Sequence, residues 1–171
     1  MEQLIRRVEA VLEATPERWR TLSESLPAEL LQRRPKPDEW SAAECLRHLV
    51  QAESVFSGRI QGFLAGETHL KRFDPDAAME MASVSDVAQL AGQFADLRRE
   101  SMRLLGQVRE EDLARRAQHE EYGPVTLGNL LHEFAAHDLN HTMQAERALA
   151  QPFVQESGGW RQSLATIDDG G

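Results

Sequence analysis

His137 and His141 stand four residues apart. On an α-helix that spacing stacks two imidazoles on one face, about one turn apart. Two rings so placed can share one metal ion, with bonds of about 2.0–2.1 Å for zinc. A third ligand must come from another segment, and His48, set among Leu46, Leu49, Ala52 and Phe56, is the candidate. Three neutral ligands leave coordination positions open, which marks a catalytic rather than a structural zinc site. Two chemistries suit such a site. A cation lowers the pKa of a thiol, so a low-molecular-weight thiol can be held as thiolate and delivered to an electrophile. A cation also makes water reactive near neutral pH, and a metal-dependent hydrolase is then the alternative. Either way, binding should weaken as pH falls through about 6.5, because imidazole ligates only when neutral.

The residues around the trio divide into helpers and bystanders. Glu133 lies four positions before His137, where it can orient an imidazole or act as a base. Gln144 lies three after His141 and can bond a ligand ring; Glu133 and Gln144 are therefore the candidate catalytic residues. Cys45, three before His48, reads as a core residue. His132-Glu133 followed by His137 looks like the zinc-protease pattern, but the step is five rather than four. Those two rings cannot face one ion, so the metalloprotease motif is absent. His69 and His119 fall in connections and read as solvated, unless the loops fold over the bundle end and line a pocket.

Helices must position these side chains, and the chain reads as helices and little else. Leu4, Ile5, Val8, Val11 and Leu12 recur at helical spacing, and Thr15-Pro16 is expected to interrupt that run before a restart through Trp19 and Leu22. Ser41-Ala42-Ala43-Glu44 has the spacing of a capping box, with Trp40 and Cys45 placed as a hydrophobic staple. The helix it opens carries His48 and stops at Gly66. Residues 66–84 form a polar connection too long for a hairpin between antiparallel neighbours, which suits a crossover between parallel helices. Val87 to Val108 gives the third helix, and Gly123-Pro124 marks a turn. The fourth helix opens at Thr126 and is expected to end at Ala148 to Ala150, near Pro152.

These elements predict an all-α protein: a four-helix bundle in up-down-down-up order, with a long crossover between helices 2 and 3. The bundle is expected over 1–150, with a C-terminal tail at 151–171 that frays at 168–171. Helices 2 and 4 are then antiparallel. His48 sits seven residues past its cap and His141 eight before residue 149, so their depths match only in that arrangement.

The chain has 171 residues, a net charge of −9 and one cysteine. One cysteine excludes an internal disulfide, and the acidic balance argues against a nucleic-acid binder. Arg98, Arg99 and Arg103 form a local basic patch that reads as a solvated helix face. No apolar run is long enough to span a bilayer, and the N-terminus lacks the apolar core of a signal peptide, so a cytoplasmic protein is expected.

Trp40-Ser41-x-x-Glu44-x-x-x-His48-Leu49 and His137-x-x-x-His141-x-x-Gln144 together resemble the DinB-like superfamily, whose relatives include bacillithiol S-transferases and mycothiol-dependent maleylpyruvate isomerases. The resemblance covers about residues 1–150. It implies a four-helix bundle with a divalent metal, nickel or zinc, on His48, His137 and His141. It also implies a homodimer, to which spare apolar residues such as Trp19 and Trp160 would contribute. A metal-dependent thiol S-transferase acting on a thiol and an electrophilic small molecule is the first expectation. A hydrolase on the same ligands is the second, and a non-catalytic, stress-linked metal-binding or dimerisation bundle the third.

Overall fold

The computed structural model describes residues 2–73 and 86–164. Most of the expected 66–84 connection, and the expected frayed end at 168–171, lie outside the described residues. Four long helices carry the fold: α1 (Glu2–Ser25), α3 (Ala42–Ala65), α4 (Val87–Leu105) and α5 (Leu127–Glu156). A short α2 (Ala28–Gln32) lies between the first two.

The caps anticipated in the sequence set the helix starts. Ser41 Oγ accepts from the Glu44 amide at 3.2 Å while the Ser41 amide donates to Glu44 Oε2 at 2.9 Å. Thr126 and Asn129 close a second box in the same way at the start of α5. Gly66 ends α3 with φ +85°, a left-handed conformation that costs a residue with a Cβ about 1–2 kcal/mol.

Directions follow from which residues meet. Phe56 stacks on Phe134 at 4.3 Å and His48 lies against His141 at 4.5 Å, so α3 and α5 are antiparallel. Glu53 meets Arg98 and Ser57 meets Ser101, so α3 and α4 are parallel. Thr15 meets Asp138 and Arg18 meets Glu146, so α1 and α5 are parallel. The order is up-down-down-up, with the crossover between the parallel pair.

Two apolar clusters fill the bundle. One gathers Leu12, Phe56, Ile60, Leu105 and Phe134; the other gathers Trp19, Leu46, Leu49, Leu90, Phe94 and Leu149. Between them every long helix contributes to a buried polar layer: Thr15, Glu53, Arg98 with Ser101, and Asp138. Arg98 is the hub. Its Nη2 donates to Glu53 Oε1 at 2.5 Å and to Asp138 Oδ1 at 2.6 Å, and its Nη1 donates to Thr15 Oγ1 at 2.9 Å. The basic patch expected around Arg98 is therefore split: Arg99 and Arg103 are exposed, and Arg98 is buried.

The same arginine explains a second departure. α1 is not interrupted at Thr15-Pro16 but runs through it. A proline inside a helix removes the N–H that would bond the carbonyl four residues earlier. That carbonyl belongs to Leu12, and Arg98 Nη1 donates to it at 2.7 Å. The orphaned acceptor is satisfied from another helix, so the break is not needed.

A small sheet accompanies the helices. Strand β1 (His69–Leu70) pairs parallel with β2 (Arg116–His119), which pairs antiparallel with β3 (Gly123–Thr126). Gly123 takes φ +73° at the hairpin turn. At the other end of the chain, α5 continues through Pro152 to Glu156, past the expected end at Ala150, and a 3₁₀ turn follows at Gly158–Leu164. Trp19 is wholly buried and cannot serve a second copy, whereas Trp160 is exposed. Among the described residues no helix is long and apolar enough to cross a membrane.

Candidate metal centre and pocket

His48 comes from α3, and His137 and His141 from α5. The antiparallel seam between those helices brings one ring nitrogen of each within 4.8 Å of the others. His48 Nε2 and His137 Nε2 are 3.0 Å apart. Two nitrogens bonded to one ion at about 2.0–2.1 Å stand about 3.0 Å apart at a right angle and about 3.4 Å apart at the tetrahedral angle. The observed spacing falls at the first value. The donor set and its spacing thus fit a divalent ion.

Electrostatics favour neutral, ligating rings. Burial, reinforced by the neighbouring imidazoles, pushes His48 down to about 4 and His137 to about 3. Burial also lowers His141, with Gln144 and Asp138 opposing it. Protonation in the folded protein therefore sets in below the expected 6.5. Gln144 Oε1 lies 2.9 Å from His141 Nδ1. An amide oxygen only accepts, so Nδ1 carries the proton and Nε2 keeps its lone pair for the centre. Trp40, expected as a staple residue, lays its ring against His48 at 5.1 Å and His141 at 5.7 Å, forming one wall of the site.

The centre opens into a pocket of about 540 Å³ that runs along the α3–α5 seam under the β-hairpin. Ala52, Val55, Phe56, Leu70 and Leu130 give it an apolar lining. Glu133 lines it beside His137 with an exposed carboxylate and, among the described residues, makes no hydrogen bond to the three imidazoles. Cys45 does not line it; that thiol is wholly buried in the core, and desolvation, aided by Glu44, pushes it up to about 12.

His132 is exposed, as the five-residue step requires, and His69 is exposed on β1. His119 departs from the solvated reading. It is buried on β2, lines the pocket and stacks on Tyr122 at 4.7 Å. Arg59, also in the pocket wall, was not anticipated. Its position was available: His48, Ala52, Phe56 and Arg59 lie on one helical stripe, at steps of four, four and three.

Residues 11–145 match the sequence profile of the DinB superfamily. No curated protein matches the chain. Among solved structures, YfiT from Bacillus subtilis, described as a probable metal-dependent hydrolase with an unusual four-helix bundle topology, superposes with a TM-score of 0.73 at 18% identity. The match covers 90% of this chain and 89% of that one. The similarity to YfiT establishes the shared bundle, and the profile match establishes the lineage: the chain belongs to the DinB superfamily.

Proposed function

We propose that His48, His137 and His141 hold one divalent metal ion and that the protein uses it as a metal-dependent hydrolase of a small organic molecule bound in the seam pocket. The carrying observation is the convergence of three ring nitrogens, held neutral by burial, at the end of an apolar pocket. When bound, the ion supplies Lewis-acid chemistry, lowering the pKa of a nucleophile and polarising the bond it attacks.

The chain's own residues do the rest. Gln144 fixes the His141 tautomer that offers Nε2. Glu133, an exposed carboxylate at the pocket rim, accepts the proton that the nucleophile releases. Val55, Phe56 and Leu130 keep bulk water from the substrate's apolar body, and Trp40 closes one side. YfiT's description as a metal-dependent hydrolase supports this reading by analogy.

A thiol S-transferase is the second reading, because the same open site and the same Glu133 would serve a thiol nucleophile. Nickel and zinc are both compatible with three imidazoles. Elemental analysis of freshly purified protein, followed by ester, amide and phosphoester panels with and without chelator, tests the proposal. Chelator-sensitive hydrolysis without thiol is the expected result. Turnover only when a low-molecular-weight thiol is added selects the transferase, and protein that neither retains nor takes up metal overturns both.

A further inference from the structure

The metal end accounts for only part of the pocket. The other end is built around Arg59, whose guanidinium is half-buried. Its Nη2 donates to the Lys71 carbonyl at 3.0 Å and lies 3.0 Å from His119 Nε2. Among the described residues no carboxylate lies within ion-pair distance, and neither Nη1 nor Nε has a protein acceptor. Five exposed arginines, Arg18, Arg20, Arg34, Arg99 and Arg103, each pair with a carboxylate, which the more buried Arg59 does not. Partly burying a cation without a counter-ion is costly, and such groups are ordinarily paired.

His119 sharpens the point. Every group facing its two ring nitrogens is a donor: Arg59 Nη2 at Nε2, and the Glu121 and Tyr122 amides at Nδ1 at 3.1 and 3.3 Å. A neutral imidazole accepts at one nitrogen only, and the two amides already claim Nδ1, so among the described residues His119 does not complete the Arg59 donors. Glu121 and Glu133, exposed at the rim, attract Arg59 through space but form no ion pair with it.

Resting on the metal-centre reading above, we infer that Arg59 is an anion subsite and that the substrate carries an anionic head group, a carboxylate or a phosphate, separated from its reactive group by an apolar spacer. Arg59 lies 11 residues beyond His48 on α3, about 16 Å along the helix axis. Nη1 and Nε lie on different edges of the guanidinium, so either can give one charged hydrogen bond to an oxygen of a carboxylate or phosphate. Val55, Phe56 and Leu70 line the space between and match an apolar spacer.

The test measures binding by calorimetry, on metal-free and on zinc-loaded full-length protein, for phenylpropanoate, phenylpropanamide and phenylpropyl phosphate. An anion should bind tighter than the isosteric amide by about tenfold or more, the scale of a charged hydrogen bond, and the carboxylate–phosphate difference identifies the head group. Arg59→Met should remove that preference, while Arg59→Lys should retain part of it, since lysine keeps the charge. Equal affinities for anion and amide in the natural protein, or an unchanged preference in Arg59→Met, overturn the inference. So does absence of binding by all three probes. Zinc uptake is measured on the same samples, so an anion preference without metal uptake would overturn the metal centre and leave the subsite standing.

Discussion

α3 and α5 each place polar side chains at two inward-facing locations, and the two are treated differently. In the layer around Arg98 every charge is answered by protein. Glu53 Oε1 and Asp138 Oδ1 accept from Arg98, Ser101 Oγ donates to Glu53 Oε2 at 2.5 Å, and Thr15 Oγ1 donates to Asp138 Oδ2 at 2.6 Å. All five side chains are at most 4% exposed. At the histidine cluster, one residue from Asp138, two Nε2 atoms face each other across 3.0 Å, and among the described residues no charged side chain pairs with them. A closed network specifies how helices meet, whereas an incomplete one waits for something from outside. The difference separates a self-contained polar cluster from one with ligating capacity to spare, without reference to residue type.

Removing Arg98 should break this contrast most violently. Arg98→Met leaves two buried carboxylates without their cation and should cost about 3–5 kcal/mol, read by urea denaturation. The loss should shrink at lower pH, because burial already pushes the Glu53 carboxyl up and protonation relieves the repulsion. His48→Ala, His137→Ala and His141→Ala should behave oppositely. Each should lower affinity for zinc or nickel by more than about 100-fold, beyond the range that outer partners control, while metal-free stability changes by less than about 1 kcal/mol. If these variants unfold like Arg98→Met and still bind metal, the distinction between the two clusters is wrong.

Smaller effects sharpen it. Gln144→Leu removes the acceptor that sets the His141 tautomer and should weaken metal binding by about 10–100-fold, measured by competition with a chelating dye. Acid should probe the site more gently. An unfolded imidazole titrates near 6.5, whereas His48 and His137 titrate near 4 and 3 in the fold. Between those values the unfolded chain binds protons that the folded chain refuses. Stability of the metal-free protein should therefore be complete above pH 6.5 and fall as pH drops toward 4. A flatter profile for His137→Ala, by thermal melts across that range, checks the assignment.

What the chain announced, and what it concealed, follows the range of the interactions. Ser41, Glu44, Thr126 and Gly66 act on neighbours a few residues away, so the helix ends could be read directly. The trio could be read because the long connection and the depths of His48 and His141 agreed on one antiparallel pairing. Pro16 misled because its rescue comes from Arg98, on a different helix. Arg98 itself misled, although it falls four after Phe94 and three before Ser101, on the apolar stripe of α4. A charged residue on such a stripe signals compensation elsewhere, and Glu53 and Asp138 sit at matching positions on theirs. The sheet was hidden for another reason. Strands of two to four residues are too short to show alternation, and their pairing is set by backbone bonds such as Gln118 to the Thr68 carbonyl at 2.8 Å.

The parallel pairing of β1 with β2 has a consequence for how this scaffold can diversify. Backbone hydrogen bonds, indifferent to side-chain identity, moor the ceiling of the cleft, while the imidazoles are anchored in rods clamped from within by Arg98. Replacing Tyr122 or Val125 would retailor what the cavity accepts without shifting a ring nitrogen. New preferences can thus accumulate overhead while the histidine cluster beneath stays put.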